Sequence, residues 1–180
     1  MEDVIQISKL NDFIFSPRSI YYHSIYENFS ELLYHDIPQS AGKIAHESID
    51  NACYSSSKQF LQGMSVYSEK YKLVGKIDIY DQKNKILIER KNLVKKIYDG
   101  YIFQLYAQMF ALQEAKYEVK ELKIHSLIDN KRYDIPMPTK KDEQRFANLI
   151  KKIRKFNIME DRENISKEKL DNCIYKVFYV

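Results

Sequence analysis

The residues of this 180-residue chain best suited to chemistry stand in two short runs, Gly75-Lys76-Ile77-Asp78-Ile79-Tyr80 and Ile86-Leu87-Ile88-Glu89-Arg90-Lys91. Both read as strands, and in a strand alternate side chains share a face. Leu87, Glu89 and Lys91 therefore point one way, and Ile86, Ile88 and Arg90 the other. On the preceding run Ile77 and Ile79 take one face while Lys76, Asp78 and Tyr80 take the opposite one. A hairpin loop of two or four residues centred on Lys83-Asn84 sets Asp78 directly across from Glu89. Facing carboxylates repel by roughly 0.2–1 kcal/mol, and by more when partly buried. A divalent cation offsets that repulsion, and Mg²⁺ is usually held by one or two carboxylates with waters and substrate phosphate oxygens. Lys91, one strand repeat beyond Glu89, is placed to orient a water or to steady a phosphate as charge develops on it. The pattern points to metal-dependent phosphodiester chemistry, and the competing reading is an edge hairpin with solvated acids and lysines.

Two further signals accompany that pair. His46 lies beside the Ala41, Ala45, Ile49, Ala52 stripe of a predicted helix, where a neutral imidazole is a competent metal ligand. Gln104 and Gln108 sit one turn apart on another predicted helix, on one face, suited to holding a nucleic-acid backbone or a water.

The elements that must position these residues are legible in outline. Ser16-Pro17 reads as an N-cap and a first-turn proline opening a helix to about Phe29, and Pro38 and Ser40 introduce a second helix to about Tyr54. Ser65–Tyr71, Leu73–Tyr80 and Lys85–Lys91 read as three antiparallel strands. A helix follows over about Gly100–Lys116, then strands over Val119–Leu127 and Arg132–Ile135, then an amphipathic helix over Lys140–Met159. The order implies an α/β (α+β) fold, a mixed sheet flanked by helices. No repeat or linker divides the chain, so a single domain is expected, with a helical part at about 1–62, a sheet and helix at 63–136, and a helix with tail at 137–180.

Composition sets the outer bounds. With 44% apolar and 30% charged residues the chain belongs with globular proteins, not disordered or disulfide-scaffold chains. Met1–Leu10 carries Glu2 and Asp3 where a signal peptide needs positive charge, and no long apolar run follows, so a cytoplasmic protein without a membrane span is expected. The net charge of +4 permits a polyanionic partner without requiring one.

Taken together, G-x-x-x-H-E at Gly42–Glu47, G-K-I-D at Gly75–Asp78, E-x-K at Glu89–Lys91 and Q-L-x-A-Q at Gln104–Gln108 resemble, in order and spacing, the RecB-like branch of the PD-(D/E)xK nucleases. More narrowly the chain resembles the CRISPR-associated nucleases of spacer adaptation, the Cas-four family, over about Leu10 to Leu127. The resemblance implies a restriction-endonuclease-like core, with Mg²⁺ or Mn²⁺ held by His46, Asp78, Glu89 and the backbone carbonyl of Arg90. It makes Lys91 the catalytic lysine and Gln104 the motif residue of the helix. It also implies a DNA substrate, the single-stranded overhang of a prespacer, and a partner in the CRISPR integrase, Cas-one with Cas-two. Arg18, Tyr21, Tyr22, Arg90, Lys95, Lys96 and Gln108 are then candidates for contact with DNA, the cations through phosphates and the tyrosines through stacking. A repair or phage exonuclease, or a catalytically weak DNA-end-binding subunit, are the rival readings. The chain departs from the family at its cysteines: Ser16, Leu170 and Tyr179 stand where thiolates are usual and only Cys173 remains, so no iron–sulfur cluster is expected. The two ends are expected to be packed instead by Leu170, Tyr175, Phe178 and the Ser16–Tyr22 helix.

Overall fold

The computed structural model describes residues 4–26 and 57–161. The predicted helix over Ala41–Tyr54, His46, both cysteines and the residues after Asp161, including Leu170, Tyr175 and Phe178, lie outside them. Among the described residues the order is β1 (Ile5–Gln6), α1 (Ser8–Phe15), α2 (Pro17–Tyr26), β2 (Phe60–Gln62), β3 (Ser65–Ser68), β4 (Leu73–Lys76), β5 (Ile79–Asp81), β6 (Ile86–Lys91), α3 (Asp99–Glu114), β7 (Glu121–Ser126), β8 (Lys131–Ile135) and α4 (Lys140–Lys155). This is an α+β fold with two mixed sheets, β1-β4-β3 and β2-β5-β6-β7-β8. No described helix is long and apolar enough to cross a membrane.

The two sheets are joined by a bent hairpin. Phe60–Gln62 pairs antiparallel with Ile79–Asp81, and the same register resumes in Ser65–Ser68 against Leu73–Lys76. Across the bend the Gly63 amide donates to the Asp78 carbonyl at 3.2 Å and the Ile77 amide to the Met64 carbonyl at 3.0 Å. Gly63 has φ 58°, a left-handed conformation that glycine adopts without a Cβ penalty. The expected single strand Leu73–Tyr80 is therefore corrected to two strands in two sheets, with Ile77 and Asp78 on the crease between them. The bend also reverses the expected facing. Ile77 and Tyr80 join the main core, while Ile79 packs with Ile88 in a second cluster.

The β5–β6 hairpin closes through Gln82–Lys85, with Ile79 opposite Ile88, Tyr80 opposite Leu87 and Asp81 opposite Ile86. Asp81 builds the turn: its Oδ1 accepts from the Lys83 amide at 3.0 Å and the Asn84 amide at 3.1 Å, and its Oδ2 accepts from Asn84 Nδ2 at 2.7 Å. These side-chain acceptors replace backbone partners, the habit that makes Asp a turn residue.

β6 then runs parallel to β7, which requires a long crossover, and α3 supplies it. Leu105 to Leu112 of α3 are all buried, so this helix is a core element covered on every side rather than an amphipathic surface helix. It packs against α1, β3, β4 and β6. Its Phe103 and Phe110 interlock with Tyr71 and Phe146, with ring centroids 4.9–6.0 Å apart, each burial worth about 1.5–3 kcal/mol. α4 starts at a capping box in which Thr139 Oγ1 accepts from the Asp142 amide at 3.3 Å and Asp142 Oδ2 from the Thr139 amide at 3.0 Å. Lys152, Arg154 and Lys155 complete its last turn, where positive charge suits the helix dipole.

Candidate active site

Two carboxylates meet where the crease faces β6. Continuing the β5–β6 register by one residue brings Asp78 level with Glu89, as the hairpin spacing predicts. Both are buried, Asp78 6% and Glu89 1% exposed. Asp78 Oδ2 accepts from the Arg90 amide at 2.6 Å, which ties the crease to β6.

Glu89 is held from both sides. Its Oε1 accepts from Lys91 Nζ at 2.7 Å and from Gln104 Nε2 at 2.8 Å, and its Oε2 accepts from Gln108 Nε2 at 2.7 Å. Lys91 Nζ donates also to Gln104 Oε1 at 3.0 Å, closing a three-residue ring of hydrogen bonds, and stands 5.2 Å from the centroid of the Tyr101 ring. Gln104 and Gln108 face β6 together because residues four apart share a helix face, and α3 lays that face on the strand carrying Glu89.

Electrostatics here are strained. Burial first, and the Asp78 charge second, raise the Glu89 carboxyl above its ordinary value, against the pull of Lys91. For Lys91 burial works against the charge, but the Glu89 carboxylate outweighs it and Asp78 adds to it, so the ammonium is held protonated. Two buried acids share one cationic side chain. This donor set suits a hard divalent cation, since Mg²⁺ commonly takes one or two carboxylates with waters completing its octahedron. Among the described residues no group of three or more His, Cys, Asp or Glu gathers.

The structure thus brings Asp78, Glu89, Lys91, Gln104, Gln108 and the Arg90 backbone to one place. The other expected residues lie elsewhere. Arg18 pairs with Asp161, its Nε 2.7 Å from Oδ2 and its Nη2 donating to the Asp161 carbonyl at 3.1 Å. Tyr21 and Tyr22 sit on α2 with their rings edge-on at 5.9 Å. Lys95 and Lys96 are exposed between β6 and α3. Gln108 is corrected from a surface DNA contact to a buried residue, 1% exposed, because its helix face is covered by β6. Tyr98, Asn11 and Gly100 escaped the sequence reading. Tyr98 donates to Asn11 Oδ1 at 2.5 Å, and its ring meets that of Tyr101, next to Lys91, at 4.3 Å with a 49° tilt. A Cβ on Gly100 would stand 2.4 Å from Asn11 Oδ1 and 2.5 Å from the Tyr98 ring. The signal available was a glycine in the first turn of a helix, where alanine is otherwise favoured.

No family model matches the chain. No curated protein matches it either. Solved structures do, among them "Crystal structure of SSO0001", which superposes with a TM-score of 0.64 at 17% identity over 98% of this chain and 86% of that one. At that identity the likeness is one of fold.

Proposed function

We propose that this protein is a metal-dependent DNA nuclease of the PD-(D/E)xK kind that trims single-stranded prespacer overhangs during CRISPR spacer acquisition, in the cytoplasm and beside the integrase. The observation that carries the chemistry is the buried Asp78 and Glu89 pair with Lys91 Nζ 2.7 Å from Glu89. The motif resemblance carries the pathway. Asp78, Glu89, the Arg90 carbonyl and His46 would hold Mg²⁺ or Mn²⁺, which when bound supplies Lewis acidity and an activated water.

The protein's own residues do the rest. Lys91 offers an ammonium kept charged by Glu89, ready to balance negative charge developing on a phosphate. Gln104 fixes that ammonium by accepting from it while donating to Glu89, so neither side chain can swing away alone. The Tyr101 ring, its centroid 5.2 Å from the ammonium, adds a cation–π partner.

The test is cleavage of single-stranded and overhanging DNA in Mn²⁺ by wild type, Asp78→Ala and Lys91→Ala. Each variant should lose on the order of 10²-fold or more in rate. Equal activity in all three overturns the reading. Co-purification with the integrase, set against its absence, separates spacer acquisition from a repair or phage exonuclease.

A further inference from the structure

Gln108 holds a position that neither the acid pair nor Lys91 explains. Its Nε2 donates to two acceptors on different strands, Glu89 Oε2 on β6 at 2.7 Å and the Lys76 carbonyl at the end of β4 at 3.2 Å. Lys76 precedes Asp78 by two residues, on the other arm of the crease. One amide group therefore spans from the segment that delivers Asp78 to the carboxylate of Glu89. Its orientation is fixed, because a flipped amide would set an oxygen against two acceptors. The remaining Oε1 is buried without a hydrogen-bond partner among the described residues, and a buried acceptor in a native protein calls for a donor.

We propose that Gln108 is the positioning residue that sets the separation of Asp78 and Glu89 and thereby selects a small divalent cation over a larger one. The inference rests on the metal-dependent reading of the site. Mg²⁺ demands near-ideal octahedral geometry at about 2.0–2.1 Å, whereas Ca²⁺ accepts longer and less regular contacts of about 2.3–2.6 Å. A strut between the two arms matters most to the more demanding ion. A water shared with the bound cation would give Gln108 Oε1 the donor that the described residues do not provide. Gln104 makes a useful contrast, since it touches Glu89 Oε1 and Lys91 but makes no bond to β4.

Calorimetric titration of the full chain with Mg²⁺ alone and with Ca²⁺ alone tests this. In Gln108→Met, which keeps the volume and removes the donor, Mg²⁺ affinity should fall about 10-fold or more, within the range of outer-shell substitutions, while Ca²⁺ affinity falls less than about 3-fold on the same grounds. Gln108→Asn, which keeps the amide but is too short to span both acceptors, should shift the ratio the same way and serves if the Met variant does not fold. Gln104→Met should weaken both ions alike. An unchanged ratio in folded Gln108 variants overturns the strut and leaves the nuclease reading standing. Wild type that binds neither ion overturns the nuclease reading and this inference with it.

Discussion

Asp81 and Glu89 are buried carboxylates on the same hairpin, 5% and 1% exposed, yet their surroundings act on them in opposite directions. Burial pushes the Asp81 carboxyl up, but donors from Asn84, Gln59 and Lys83 outweigh it and hold it below the ordinary aspartate value. Glu89 receives donors as well, from Lys91, Gln104 and Gln108, and is still held above its ordinary value by burial and by the neighbouring Asp78. Three of Asp81's hydrogen bonds come from residues two or three positions away and build a turn. Those of Glu89 include two from a helix far along the chain, and a second acid, Asp78, stands beside it. Depth alone does not mark a functional carboxylate. A second acid placed against it is what makes Glu89 the candidate.

The contrast predicts a division of labour, most sharply in catalysis. Glu89→Gln should lower Mn²⁺-dependent cleavage by on the order of 10²-fold or more, while Asp81→Asn should leave it within about 3-fold, because Asp81 touches the turn and not the acid pair; single-turnover cleavage reads both. Similar losses in the two variants would erase the distinction. In stability the ranking reverses. Asp81→Ala should cost about 1–3 kcal/mol in urea unfolding by stranding the turn donors. A cost near zero would mean that the hairpin closes without them.

Acidity sharpens the comparison further. A carboxyl held below its unfolded value contributes stability that is present above the ordinary value and is lost as pH falls through the folded one. The melting-temperature advantage of wild type over Asp81→Asn should therefore be full at about pH 6 and shrink below about pH 4. An advantage that is constant across that window would show that Asp81 acts through shape alone. The smallest effect is expected at Gly75, where a Cβ would stand 3.0 Å from Ile7 Cβ and Cδ1. Gly75→Ala should destabilise by about 1 kcal/mol, measured by chemical denaturation, and equal or higher stability would show that Ile7 yields.

The β5–β6 register was readable because a loop centred on Lys83-Asn84 leaves few ways to close, and Asp81 enforces the observed one. The crease was not readable. Ile77 and Ile79 alternate as one strand face should, and since both sides of the sheet are covered by apolar residues, nothing in the pattern shows that the chain changes sheets between them. β1, with two residues, and β2, with three, are too short to leave a periodic trace. α1 was missed because it spans only eight residues, too few for its apolar residues to establish a helical period. Gln104 and Gln108 were legible as a pair but not as partners of Glu89, because helical spacing gives the shared face and not what covers it. The unbroken apolar surroundings of Gln108, from Leu105 to Leu112, were the available hint that a polar side chain there must meet something polar.

The crease has a mechanical consequence. Glu89 rides on β6, which is locked to β7 along its whole length, whereas Asp78 rides on the hinge line between a three-stranded and a five-stranded sheet. The Arg90 amide bond to Asp78 and the Gln108 bridge from the Lys76 carbonyl to Glu89 pin the smaller sheet to β6 at the acid pair, so a load on β1, β3 or β4 is carried to the two acids through those bonds.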